Sequence, residues 1–182
     1  MAEQSPTAVQ LRFQTLWQNY PNNDPCINPK TGKRAYDDQC AIRLGLSLQK
    51  SGVDFSKFPG PRCEFGARGN GMVLRAEELA NWLRSIPFRG CPVAQSHAGK
   101  NFQASIAGRT GIVFFKDYWL RSGERHPTGD HIDLWNRDCL TPSFTTFLRF
   151  SLGISRMPSP LGPGNYYSDL SNASQVLFWP LP

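Results

Sequence analysis

The stretch Gly129-Asp130-His131-Ile132-Asp133-Leu134-Trp135 alternates polar and apolar side chains, the pattern of a β-strand whose two faces differ. Ile132 and Leu134 point to one face and supply core contacts, while His131, Asp133 and Trp135 share the other. The strand rise puts the Cβ atoms of His131 and Asp133 about 7 Å apart. From there a carboxylate reaches the imidazole, directly or through water, and holds its orientation. The competing interpretation is the wetted side of a half-exposed strand, and Trp135 on that same face argues against it.

Working outward, Gly111 to Lys116 is a short, strongly β-prone run after a Gly-Arg-Thr turn, and Gln175 to Trp179 reads as a closing strand. Between them, Gly123 to Gly129 is a polar loop. Thr141-Pro142 has the form of an N-cap followed by proline at the first helical position, with Phe144, Phe147 and Leu148 turned inward. Met157 to Gly164 is a Pro/Gly-rich loop.

Upstream the period changes to that of helices. Val9, Phe13, Leu16, Trp17 and Tyr20 lie at helical spacing, which predicts a first helix over Thr7–Tyr20. Pro21 to Lys33 has loop composition. A second helix begins near Asp38, a good N-cap, and runs to Gln49; Ala41, Leu44 and Leu48 form a stripe with Ile42 and Leu46 beside it, so the helix is expected to be largely buried. Ser51 to Gly71 reads as loop, and its glycines at 66, 69 and 71 do not have the spacing of a phosphate-binding fingerprint. A third helix spans Arg75–Ser85 with Leu79, Trp82, Leu83 and Ile86 inward. Helices first and a small antiparallel sheet afterwards make an α+β fold. Neither an internal repeat nor an interdomain linker is visible, so residues 1–182 read as a single domain.

The chain has 182 residues, a size that buries a real core without metals or a disulfide framework. Its net charge of +6 favours anionic partners. The basic residues (Lys30, Lys33, Arg34, Arg62, Arg68, Arg84, Arg89, Arg109) are scattered, without a run or interleaved aromatics, which argues against nucleic acid. Bacterial cell wall is also polyanionic. Met1 to Gln10 lacks the apolar region of a signal peptide, and no apolar stretch is long enough for membrane insertion. The expectation is a soluble protein that, if exported, leaves without a cleaved leader. The five cysteines, Cys26, Cys40, Cys63, Cys91 and Cys139, are irregularly spaced, with no C-x-x-C or Cys/His cluster, so neither a structural metal nor a cofactor is expected. With Cys40 set aside, the other four are two disulfides or four idle thiols.

Cys40 sits at the predicted start of the second helix, where unpaired amides and the helix dipole favour thiolate over thiol. A small buried cysteine is the alternative. His97 and His126 lie in loop contexts and read as surface residues. A helix-start thiol, a later imidazole and a carboxylate to orient it are the parts of a cysteine nucleophile system.

The segments Cys40-Ala41-Ile42-Arg43-Leu44, Gly108-Arg109-Thr110-Gly111-Ile112-Val113-Phe114-Phe115, Gly129 to Asn136, and Leu177-Phe178-Trp179-Pro180-Leu181, in this order, resemble the fourth family of type VI secretion amidase effectors. The resemblance covers most of the chain. It implies a papain-like, NlpC/P60-type fold with N-terminal helices packed on the sheet. The implied activity is hydrolysis of peptidoglycan stems between D-glutamate, linked through its γ-carboxyl, and meso-diaminopimelate. It further implies Cys40 as nucleophile, His131 as general base and acid, delivery by the type VI apparatus into a rival's periplasm, and a cognate immunity protein. In the family an acidic residue follows the histidine strand by about one hairpin return; the corresponding stretch here, Cys139-Leu140-Thr141-Pro142, has no carboxylate. Asp133 is therefore favoured as the orienting acid. Asp138 is second, at about four strand residues or ~13 Å from His131. Two other functions fit the residues: a papain-like protease or deamidase acting on proteins, and a non-enzymatic cell-wall-binding module with Trp119, Trp135 and Trp179 as a sugar platform.

Overall fold

The computed structural model describes residues 10–67, 69–119, 126, 128–141, 157–158, 166–167 and 170–182. The chain forms two compact units: the residues up to Val93 together with Leu181–Pro182, and Ala94–Pro180.

The first unit is helical. Helix α1 (Phe13–Asn19) buries Phe13 and Leu16, and Phe13 stacks near Trp17 with ring centroids 5.4 Å apart. It is shorter than the predicted Thr7–Tyr20. Leu11 and Arg12 precede it, Tyr20 is already extended as its C-cap, and residues 7–9 lie outside the described residues. Helix α2 (Cys40–Lys50) buries Ala41, Ile42, Leu44, Gly45, Ser47 and Leu48, the nearly all-round burial its sequence predicts. Gly45 is needed for packing: a Cβ there would sit 1.9 Å from the Gly71 carbonyl oxygen. Backbone therefore meets backbone at this crossing, and any side chain would force the segments apart. Ser47, buried within the helix, donates its hydroxyl to the Leu16 carbonyl at 2.7 Å. Helix α3 (Ala76–Arg84) buries Ala76, Leu79, Ala80 and Leu83. Its first turn carries Glu77 and Glu78 and its last turn Arg84, complementing the helix dipole. Ile86 departs from expectation: the helix ends two residues earlier, and Ile86, with φ of 52°, is 51% exposed.

Cys26 and Cys63 form a disulfide. Closing 37 residues of chain is worth about 4 kcal/mol if its effect is the loss of unfolded-state entropy. Cys91 and Cys139 are free thiols. The four cysteines thus divide between the two expectations, one bonded pair and two idle thiols.

The second unit holds the sheet. Its elements are β1 (Gln95–His97), α4 (Phe102–Ile106), β2 (Arg109–Trp119), β3 (Gly129–Arg137), β4 (Cys139–Leu140), β5 (Met157–Pro158), β6 (Tyr166–Tyr167) and β7 (Gln175–Pro180). Five strands pair in the order β1-β7-β2-β3-β4, antiparallel throughout, while β5 and β6 form a separate ladder. Met157–Pro158 therefore begins as strand where loop was predicted. The helix expected after Thr141-Pro142 falls in residues 142–150, outside the described residues. The α+β class read from the sequence is the class observed.

Both faces of the central strands are buried. Val113, Phe115, Trp135, Val176 and Phe178 join Phe102 and Ile106 of α4 in one cluster. Ile112, Phe114, Ile132, Leu134, Leu177 and Trp179, on the other face, are also buried. Core contacts are thus not confined to the Ile132/Leu134 face. Each large side chain so buried contributes roughly 1.5–3 kcal/mol. Trp135 and Trp179, at 1% and 0% exposure, are core residues and cannot form the sugar platform considered above.

Candidate active site

Cys40 is the first residue of α2, half-buried and free of disulfides. Asp38 does not occupy the N-cap position; Gln39 does, and Asp38 acts from one residue earlier, its Oδ1 accepting the Cys40 N–H at 3.1 Å. Gln39 is only 4% exposed, and its side-chain amide is fully engaged. Its Oε1 accepts the Cys26 N–H at 2.9 Å, and its Nε2 donates to the carbonyls of Cys26 at 3.1 Å and Tyr36 at 3.2 Å. The residue before Cys40 is thereby tied to the backbone of a disulfide cysteine. One turn on, Arg43 pairs with Asp24 at 2.6 Å and donates to the Asn23 carbonyl at 3.2 Å. The start of α2 is held by a covalent link and by side chains clamped onto backbone. Gln39 was not singled out from the sequence, where an amide beside a helix start carries no signal of its own.

His131 and Asp133 belong to the second unit, on β3. His131 pairs in register with Phe115, the last regular pair before β2 shifts register between Phe115 and Trp119. Asp117 within that irregularity has φ of 50°, and its N–H donates to Asp130 Oδ1 at 2.9 Å. Bulges of this kind re-aim neighbouring side chains. The imidazole stacks on Phe115 at 6.5 Å between centroids and meets Tyr118 edge-on at 6.4 Å. Its side chain keeps 23% exposure.

Asp133 reaches the imidazole as the strand reading predicts: Oδ2 lies 3.5 Å from His131 Nε2. That separation is an ion-pair distance rather than a closed hydrogen bond, and such contacts commonly tighten in a reacting complex. The carboxylate is 4% exposed, so it must be satisfied internally. The Thr141 hydroxyl lies 2.8 and 2.7 Å from its two oxygens, and the Leu134 N–H donates to Oδ1 at 2.8 Å. Asp138 lies in the β3–β4 turn; burial first, and then the Asp138 charge and hydrogen bond, raise the pKa of the Cys139 thiol. Thr141 is the residue that sequence reasoning assigned elsewhere, as a helix cap. The pairing Trp135↔Leu140 brings it back alongside Asp133, and only the hairpin register reveals that.

Burial pushes the Cys91 thiol up to about 11, which leaves it protonated at neutral pH. His97 is not a loop residue: it ends β1 half-buried, with Nε2 buried and unpartnered among the described residues. Burial first, and the Arg109 charge second, lower its pKa. His126 is exposed, as expected. Among the described residues no group of three or more His, Cys, Asp or Glu side chains could hold a metal ion, and no helix is long and apolar enough to cross a membrane.

The family model for the type VI secretion system amidase effector protein 4, Tae4, matches residues 36–179. No curated protein matches the sequence. Among solved structures, the effector Tae4 from Salmonella typhimurium, in complex with the immunity protein Tai4 from Enterobacter cloacae, is similar with a TM-score of 0.58 at 17% identity, over 94% of this chain and 99% of that one. The Tae4–Tai4 effector–immunity complex from Enterobacter cloacae gives a TM-score of 0.56 at 18% identity, over 94% and 98%. At these identities the likeness is one of fold, the α+β arrangement of helices and antiparallel sheet described above.

Proposed function

This chain belongs to the type VI secretion system amidase effector protein 4 family, and from that membership we propose that it is a cysteine amidase cutting the γ-D-glutamyl–meso-diaminopimelate bond of peptidoglycan stems in a rival's periplasm. The observation that supports this mechanism best is the pair on β3, a buried carboxylate 3.5 Å from a partly exposed imidazole. Cys40, opening α2, is the nucleophile in this proposal. His131 takes the Cys40 thiol proton, and the thiolate attacks the γ-carbonyl carbon, forming a C–S bond and an oxyanion. Collapse breaks the C–N bond while the His131 imidazolium protonates the leaving amine. Water, deprotonated by His131, then attacks the thioester, releasing the γ-carboxyl product and regenerating the thiol. Asp133 holds the imidazole and balances its charge in both half-reactions. Contact between Asp133 Oδ2 and Nε2 leaves Nδ1 as the nitrogen for proton transfer. A cognate immunity protein protects the producer from this activity.

Mass spectrometry of digested muropeptides tests the proposal. Wild type should release stems with a new diaminopimelate amine, and Cys40→Ala should release none. An active Cys40→Ala protein sinks the mechanism; products from protein substrates but not muropeptides would instead support the protease reading.

A further inference from the structure

We propose that Thr141 is a positioning residue of the active site, its hydroxyl fixing the Asp133 carboxylate against His131; this rests on the Cys–His–Asp reading above. An ionised carboxylate offers about four acceptor sites on two oxygens. With Asp133 4% exposed, its partners must come from the protein. The Leu134 N–H occupies one site on Oδ1 at 2.8 Å, but it lies next in the chain and leaves the carboxylate free to rotate about it. Thr141 comes from the opposite arm of the hairpin and stands 2.8 and 2.7 Å from Oδ1 and Oδ2, so a single hydroxyl proton braces both oxygens. Thr141 is itself buried, at 8% exposure, and a buried hydroxyl is held in one place by the bond it makes. Asp133 Oδ2 in turn lies 3.5 Å from Nε2 of the His131 ring. The path Thr141–Asp133–His131 therefore runs from hairpin to imidazole, and the hydroxyl sets which nitrogen keeps its proton.

Thr141→Val removes the hydroxyl at nearly constant shape, and Thr141→Ser keeps it. With muropeptide substrate, Thr141→Val should lower kcat by on the order of 10- to 100-fold, the usual effect of misplacing a reacting group, with KM unchanged, and Thr141→Ser should restore turnover. In ¹⁵N-histidine-labelled Cys40→Ala protein, His131 should be a single Nε2–H tautomer, and adding Thr141→Val should mix the two tautomers. A packing role alone would lower stability and leave the tautomer and kcat untouched. Wild-type kcat together with an unmixed tautomer in Thr141→Val overturns the proposal. Should Thr141→Val fail to fold, Thr141→Ala against Thr141→Ser carries the same contrast, and equal turnover in those two overturns it. Activity in Cys40→Ala would overturn the whole mechanism, whereas a dead Cys40→Ala beside a fully active Thr141→Val removes only the role of Thr141.

Discussion

The helical unit and the sheet unit hold their reactive residues by different physics. At the start of α2, Cys40 is preceded by loop, and its place depends on a disulfide, the three hydrogen bonds of the Gln39 amide and the Arg43–Asp24 pair. On β3, His131 and Asp133 are carried by strand register inside a sheet buried on both faces. The first arrangement is local and made of a few directional bonds. The second is collective, shared among many apolar contacts. Losing one bond should therefore loosen the Cys40 segment alone, while losing one core side chain should weaken the whole sheet.

The strongest test of the contrast is in the sheet. Trp135→Ala removes a side chain at 1% exposure and its Nε1 hydrogen bond to the Ile106 carbonyl. It should cost about 3–5 kcal/mol in denaturant unfolding, with amide exchange accelerated along all of β2, β3 and β7. A rise confined to residues beside position 135 would show that the sheet is not collective.

Gln39→Ala should cost about 1–3 kcal/mol, because the Cys26 N–H and carbonyl lose a buried partner. Exchange should accelerate in the first turn of α2 and around Cys26 while β3 keeps its protection. Equal loss in both regions would break the distinction.

The smallest effect concerns Cys91. Its folded pKa, pushed up by burial from 9.0 to about 11, exceeds that of the unfolded thiol. The protonated thiol is the form the fold prefers, so its contribution to stability is complete below about pH 9 and is lost as pH rises toward about 11. Cys91→Ala should flatten the fall of Tm across that window, and an unchanged slope would place the alkaline loss elsewhere.

The parts of the fold legible in the sequence were those with strong periodic patterns over many residues. The run 111–116, the alternation in 129–135 and the near-complete apolar ring of α2 each specify an element and its burial. Short elements were not legible. Strand β1 has three residues, β4 has two and α4 has five. Within α4 the i, i+4 pair Phe102 and Ile106 marks a buried face, but one pair is too little for a period. Ile86 went astray because the helical pattern continues in sequence past the point where the backbone leaves the helix.

For the site, sequence alone determined the chemistry available. It placed a thiol at a helix start and put an imidazole and a carboxylate on one strand face, because helix caps and strand alternation are local consequences of residue order. Tertiary structure decided what surrounds those groups: Cys26 bonded to Cys63, Gln39 clamped to Cys26, and Thr141 set against Asp133. Those pairs are 37, 13 and 8 residues apart, and such partners are chosen by loop closure and strand register, which no local pattern encodes.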